Sequence, residues 1–435
     1  MRIFGTMNLE NNNLYIGGIN TLDLVKEYGT PLYVMDERFI RENCRKFRDS
    51  FNAIEGRNKV VYAGKAFLTI AMAQLVNEEG LNLDVVSGGE LYTAYRSGFP
   101  MEKIYFHGNN KTNQEIRMGL GYGVGTFVVD NIEELYEINK TAHALQKIQN
   151  ILLRVTPGVE AHTHEYIKTG QIDSKFGFTL LENNLFNVLD ELKNMPNIHL
   201  KGLHCHIGSQ IFNTEGHKEA IKVMIRLVKS IKDSRNVEIE ELNLGGGFGI
   251  YYSEGDTPMT IEDYCRDMIT ETERICNEFN VKIPDLVIEP GRAIVGNAGT
   301  TLYTVGGVKE IPNVRSYVSV DGGMTDNIRP SLYSASYECL IANKAEETCV
   351  NNVTIAGKCC ESGDVLINHI NIPQVEIGDI IAIMSTGAYC YSMSSNYNKI
   401  PKPPVILVNN GESRVICKRE TYEDIIKNEL GLQAI

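Results

Sequence analysis

From about residue 60 onward, short apolar runs rich in β-branched residues alternate with longer stretches whose apolar positions recur at helical spacing. Eight such runs can be read: Val60 to Ala66, Leu83 to Gly88, Lys103 to Gly108, Thr126 to Asp130, Ile151 to Pro157, Lys201 to Ile207, Glu241 to Leu244 and Asp285 to Glu289. All but the last are followed by a helical pattern, such as Leu68, Ile70, Ala71 and Leu75, or Leu91, Ala94 and Tyr95. Eight strand–helix units suffice to close a parallel barrel, so the pattern predicts an α/β fold, a (β/α)8 TIM-type barrel. An open doubly wound sheet usually has fewer strands and a glycine-rich first turn, where this chain carries a lysine. After about residue 298 the pattern changes to short β-branched runs separated by turn residues, which predicts a C-terminal β-sandwich or β-barrel domain. The opening segment, with an Asn11-Asn12-Asn13 turn and the strand-like PLYVM, is expected to join it. The division predicted is a barrel over 37–297 and a β domain from 1–36 and 298–435.

Composition narrows the function. With 42 basic and 55 acidic residues the formal charge is −13, and no dense Lys/Arg stretch could track a phosphate backbone, so nucleic acid is not expected as a partner. No apolar run is long enough to span a bilayer and the N-terminus carries no secretory pattern, so no membrane is expected and the cytoplasm is the expected compartment. Ten cysteines without a C-x-x-C pair suggest reduced thiols rather than a disulfide framework or a zinc ribbon.

In a (β/α)8 barrel the chemistry lies at the carboxyl ends of the strands, and the polar residues fall there. Lys65 ends the first run, Asp84 and Ser87 the second, His107 and Asn109 the third, Asp130 the fourth, Arg154 the fifth, and His206 and Ser209 the sixth. Gly245, Gly246 and Gly247 follow the seventh, and Glu289 and Arg292 close the eighth. Lys65, between Gly64 and Ala66, is expected in a confined, partly apolar place that makes its amine nucleophilic and suited to Schiff-base chemistry; the plain reading is a lysine reaching solvent. The glycine run can let backbone N–H groups approach a phosphate, or can be no more than a tight turn. Glu289, ending an apolar strand, needs a partner: a protonated ring nitrogen, or in the plain reading Arg292 or Arg154. His204 and His206 flank Cys205 on one strand face, but with no third ligand at suggestive spacing no metal is expected, and His206 offers an aromatic face to a planar ring.

The motifs YAGKAF, DVVSGGE, FHGNNK, HTHEYIKTGQIDSKFGF, HCHIGSQ, NLGGGFG, EPGR, IRPSLY, CCESGD and GAYCYSMSSNYN follow one another from end to end. Their order resembles the fold-type III pyridoxal-phosphate-dependent decarboxylases, with their alanine-racemase-like barrel and β domain. The resemblance implies pyridoxal 5'-phosphate as cofactor, with Lys65 as the lysine that bears it and His206 stacked on its ring. It implies Glu289 at the ring nitrogen, and Ser209, Gly247 and the backbone of Glu289, Pro290, Gly291 and Arg292 around the phosphate. Arg292, Arg329 and Tyr333 are similar to the family's substrate-carboxylate clamp, Glu361 to its ligand for a distal ammonium, Tyr389 to a residue touching cofactor and substrate, and Cys360 to its proton donor.

The resemblance also implies a homodimer with shared active sites, because in this family the segment of Cys360 comes from the neighbouring subunit. The substrate is expected to be a small amino acid, and within the family the branch acting on meso-diaminopimelate fits best. Two arginines suit a carboxylate at its far end, whereas the cation of ornithine or arginine would be repelled. Rival readings are a decarboxylase of those basic amino acids, a racemase, which would need tyrosine where Cys360 stands, and a non-catalytic cofactor-binding homologue. Two positions depart from the family: Lys358 stands where proline is usual, two residues before Cys360, and Tyr337-Glu338 replaces a histidine-bearing stretch.

Overall fold

The computed structural model describes residues 2–51, 57–159, 174–181 and 184–432; most of the motif at 162–178 therefore lies outside the described residues. The chain divides into two compact units, one of residues 43–250 and 257–294, the other of 1–42, 251–256 and 295–435.

The first unit is built on eight parallel strands: Lys59–Ala63, Asn82–Val85, Ile104–Phe106, Thr126–Val129, Gln149–Thr156, Ile198–His204, Glu241–Asn243 and Asp285–Ile288. Each pairs with the next, and the last pairs with the first through Val287 to Lys59 and Ile288 to Val60, so the barrel closes. Several of the helices that follow the strands start at side-chain caps. Ser87 accepts from the N–H of Glu90 to start Gly88–Ser97, and Thr112 with Glu115 forms a capping box before Asn113–Tyr122.

Inside the barrel, Val61, Tyr105, Val128, Leu152 and Val287 pack as one buried cluster. Side chains two apart on a strand share a face, so Ala63, His107, Asp130, Arg154 and Glu289 follow them up the same interior towards the carboxyl rim. At the other rim the fully buried Glu241 accepts a 2.8 Å bond from the Tyr105 hydroxyl and pairs with Lys201 at 2.8 Å and with Lys59. That network satisfies the Glu241 carboxylate at the amino end of the interior.

The second unit is rich in sheet. Its longest strand, Gly299–Ile311, pairs antiparallel with Leu32–Asp36, with Ile380–Ile383 and, past a bulge at Val305/Gly307, with Arg315–Val320. Leu32–Asp36, the PLYVM segment, also runs parallel to Val405–Asn409, so the amino-terminal stretch is part of this sheet. Asn11 and Asn12, at φ 52° and 65°, turn a small antiparallel meander of Asn8–Glu10, Asn13–Ile16 and Ile19–Asn20. Tyr251–Asp256, which falls inside the span expected for the barrel, belongs to this unit. Among the described residues no helix is long and apolar enough to cross a membrane.

Candidate active site

A cavity of about 290 Å³ opens at the carboxyl rim of the barrel, lined among others by Lys65, Asp84, His107, Arg154, His206 and Glu289. Its size falls at the lower end for a small-molecule site. Glu289, 7% exposed, is its electrostatic centre. Asn243 Nδ2 donates to one carboxylate oxygen at 2.7 Å, His107 Nε2 lies 2.8 Å from the same oxygen, and His204 Nε2 lies 3.1 Å from the other. Burial works against the charge, but His107 and His204 more than offset it and hold the carboxyl well below its usual range. Burial pushes His204 down to about 4, so its ring is neutral at pH 7.

Among the described residues no arginine pairs with Glu289. Arg154 lies 3.9 Å from Asp130, and Arg292 donates to the Ser209 hydroxyl at 2.9 Å. Glu289 is thus held at the cavity by Asn243, His107 and His204.

His204 and His206, expected on one strand face, turn to different partners. His204 joins His107 and Glu289, whose ligand-type atoms lie within 4.8 Å of one another. The approach of both rings to the Glu289 carboxylate accounts for that grouping. His206 points elsewhere: its Nδ1 accepts from the N–H of Gly246 at 3.1 Å, which leaves Nε2 to carry the ring proton. Burial, with Lys65 and Arg154 nearby, lowers its pKa well below the ordinary value, so it offers a neutral ring.

Lys65 departs from expectation in its surroundings. The strand ends at Ala63, and Lys65 sits on a one-turn 3-10 segment, Gly64–Ala66, with its side chain exposed between buried neighbours. The chain bends there because Gly64 passes so close to Asp84 that a Cβ would lie 2.7 Å from its carbonyl oxygen. The EPGR segment runs against the same turn: Ala63 N donates to Pro290 O at 3.1 Å, and a Cβ on Gly291 would meet Ala63 and Ala66.

The loops after the sixth and seventh strands are zipped together, Ile211 N donating to Gly247 O and Gly249 N to Ile211 O, both at 2.9 Å. This contact requires glycine. Gly247 has φ 108°, and Cβ atoms on Gly246 and Gly247 would lie 2.2 Å from Glu289 O and 2.7 Å from Gly208 O. Ser209 and Arg292 flank the cradle so formed.

The second unit holds the remaining candidates. Arg329, 7% exposed on the short helix Arg329–Tyr333, donates to the Tyr337 hydroxyl at 2.6 Å. Its guanidinium carbon lies 5.0 Å from the Tyr252 ring centre and within 6.0 Å of those of Tyr333, Tyr337 and Tyr389. Burial opposes the charge, and the surrounding tyrosines and Cys390 more than compensate, so Arg329 stays cationic. Tyr389 adopts φ 66°, a left-handed conformation uncommon for a bulky residue. Cys360 and Glu361 lie on another loop of this unit and are exposed.

The barrel therefore gathers Lys65, His206, Ser209, Gly247, Glu289, Pro290, Gly291 and Arg292 at one rim, and the second unit groups Arg329, Tyr333 and Tyr389. Sequence reasoning assigned no role to His107, His204 or Asn243 around Glu289, nor to Tyr252 and Tyr337 around Arg329. His107 was within reach through the two-residue period of its strand; Asn243 and Tyr252 carried no such signal.

A barrel with a lysine on its first turn, a buried anionic glutamate on its last strand and a glycine cradle between them is the framework of a pyridoxal-dependent decarboxylase. Residues 37–296 match the family model described as the pyridoxal binding domain of pyridoxal-dependent decarboxylases. The chain is 50% identical over 425 residues to the diaminopimelate decarboxylase of Bacillus subtilis, covering 97% of this chain and 96% of that one. Among solved structures it resembles diaminopimelate decarboxylase from M. jannaschii in complex with L-lysine, with TM-score 0.92, 36% identity and 98% of each chain covered. It also resembles the enzyme from Helicobacter pylori complexed with L-lysine, with TM-score 0.86, 30% identity and 94% of this chain and 99% of that chain covered. The chain belongs to the diaminopimelate decarboxylase family.

Proposed function

We propose that this protein catalyses the pyridoxal-phosphate-dependent decarboxylation of meso-2,6-diaminopimelate to L-lysine and carbon dioxide, the last step of lysine biosynthesis. The observation that carries the choice of substrate is Arg329, a buried cation ringed by tyrosines with no carboxylate ion-pair partner among the described residues. Such a group is held ready for a carboxylate, which guanidinium binds in bidentate fashion, and it repels the distal cation of ornithine or arginine. The relatives from M. jannaschii and H. pylori were solved with L-lysine, the product this reaction yields.

The barrel's residues fit the cofactor. Buried Asp84 Oδ1 lacks a hydrogen-bond partner among the described residues, Glu289 is a shielded anion, and glycines let the loops after the sixth, seventh and eighth strands approach one another at the same rim. Lys65 would carry the cofactor, Glu289 would face its ring nitrogen, His206 its ring face, and Ser209, Gly247 and the Pro290–Arg292 backbone its phosphate, with Tyr389 beside it. When bound, it supplies an electron sink for the pair left behind as the carboxylate departs.

The chain's own groups do the rest. Arg292, Arg329 and Tyr333 hold the distal carboxylate and Glu361 the distal ammonium, so binding energy remote from the scissile bond orients it. Cys360 Sγ gives its proton to the carbon that has lost carbon dioxide. The protein works as a homodimer whose β domain completes the partner's barrel, a reading supported by the exposure of Cys360 and Glu361 within one chain. All ten cysteines are thiols, which accords with the reducing cytoplasm.

Two measurements test the reading. Purified protein is offered meso-diaminopimelate, its LL isomer, ornithine and arginine in parallel, and carbon dioxide release is expected from the first alone. Borohydride reduction is expected to label the peptide of Lys65; a label elsewhere removes the assignment whatever the substrate result.

A further inference from the structure

The loop that carries Cys360 is exposed at Cys360 and Glu361, yet every backbone N–H from Lys358 to Glu361 has a protein partner. Lys358 N donates to Gly322 O at 2.9 Å, Cys359 N to Asp364 Oδ2 at 2.7 Å, Cys360 N to Asn398 Oδ1 at 2.8 Å, and Glu361 N to Cys359 O at 2.8 Å. The Tyr397 hydroxyl donates to Cys360 O at 3.3 Å. Surface loops ordinarily leave such groups to water, because holding a loop still costs conformational entropy.

The two side-chain anchors are themselves held. Asp364, 4% exposed, accepts from Met324 N at 2.6 Å through its other carboxylate oxygen, and its carbonyl accepts from Gly357 N at 3.0 Å. Cβ atoms at Gly323 and Gly357 would lie 2.5 Å and 2.3 Å from that carboxylate, so two glycines make room for it. Asn398 has φ 54° and Lys399 φ 58°, consecutive left-handed residues without glycine. Asparagine tolerates that conformation better than most residues, and strain of this kind persists where surrounding structure fixes it.

We propose that Asp364 and Asn398 are positioning residues that clamp the two successive peptides leading into Cys360 and so fix where its Sγ proton is delivered. The inference rests on the reading of Cys360 as proton donor. Asp364 fixes the preceding peptide and Asn398 the peptide of Cys360 itself, so the thiol is aimed by its own main chain. No proline stiffens the segment, since Lys358 stands two residues before Cys360; the side-chain clamp supplies the order.

The test uses the full-length holoenzyme with meso-diaminopimelate. Asn398→Ala is expected to lower kcat by about tenfold through misplacement of the proton donor, with KM and cofactor absorbance retained. Asn398→Asp, which keeps an acceptor oxygen for Cys360 N–H, is expected to recover most of kcat. In a Cys360→Ala background, Asn398→Ala is expected to cost nothing further, because residues acting through one group are not additive. Asp364→Asn, which weakens the acceptor for Cys359 N–H, is expected to behave in the same way and decides the matter if Asn398→Ala fails to fold. An unchanged kcat in both anchor variants, or an equal further loss when either is added to Cys360→Ala, overturns the clamp. Unchanged turnover in Cys360→Ala alone overturns the proton-donor reading beneath it.

Discussion

Burying a guanidinium is costly unless its N–H groups and its charge are answered, and Arg329 has one hydroxyl and the faces and edges of four aromatic rings in place of a carboxylate. Tyr337 is the pivot of this arrangement. Its hydroxyl meets Arg329 and also lies 3.7 Å from Cys390 Sγ, which lies 3.5 Å from Asn327 Oδ1. Tyr337→Phe removes the hydroxyl that accepts from the cation, and a hydrogen bond to a charged group contributes about 1.5–3 kcal/mol. The expected outcome in steady-state kinetics is a KM for meso-diaminopimelate raised by about tenfold or more with kcat little changed. The sequence marked Tyr337 only as a departure from its family; that a departure eight residues from Arg329 should be its hydrogen-bond partner depends on how the chain returns after the helix Arg329–Tyr333.

At the scale of elements, the alternation of a strand explains most of the site. A residue that packs the barrel interior, such as Tyr105, Leu152 or Val287, is followed two positions later by His107, Arg154 or Glu289 at the rim. The eight strands were legible because their apolar runs were short and β-branched, but each was read too far towards the site. Lys65, His107 and His206 all lie beyond the ends of their strands, where the chain has already turned.

Glycines in helices separate packing from propensity. Gly119 and Gly121 both lie in Asn113–Tyr122. A Cβ at Gly119 would sit 2.7 Å from the Phe127 ring, whereas at Gly121 nothing lies within 4 Å. Gly121→Ala is expected to raise the unfolding free energy by about 0.5–1 kcal/mol, and Gly119→Ala to lower it by about 1–3 kcal/mol, as read from urea-unfolding midpoints.

For the whole molecule, protonation links the site to stability. His204 takes up its proton near pH 4 when folded and near 6.5 when unfolded, so between these values the unfolded chain binds more protons. The contribution of His204 to stability is therefore expected to be fully present above pH 6.5 and to fall as pH drops towards 4, by at most about 1.4 kcal/mol per pH unit for this one proton. The depressed carboxyl of Glu289 adds to the same loss on the acid side. Asp326 acts in the opposite sense: burial raises it from 3.8 to about 7, so the stability its protonated form contributes is fully present below 3.8 and is lost as pH rises to about 7, which offsets the His204 contribution over the range they share. Urea unfolding of the cofactor-free chain and of its His204→Gln variant from pH 4 to 8 checks this: the difference in stability between the two is expected to change between pH 4 and 6.5 and to be constant above it, because only the His204 contribution is removed.

The shared-site dimer has its own test. Lys65→Ala and Cys360→Ala chains, each inactive or nearly so alone, are expected to regain roughly a quarter of wild-type activity when unfolded together and refolded, since one site of each mixed dimer is intact. Absence of recovery would argue that each chain supplies its own site.

The sequence by itself determined the strand–helix alternation, the ring of polar residues at the carboxyl ends of the strands and the family that their motifs resemble. These are local facts, set by the period of the hydrophobic pattern and by residue types that backbone geometry restricts. Which groups answer a buried charge was decided only by tertiary structure. Asn243, His107 and His204 reach Glu289, and Tyr252 and Tyr337 surround Arg329, because strands and loops far apart in the chain converge in space. No periodicity along the chain encodes such convergence, and the desolvation that makes these contacts matter exists only once the interior has closed.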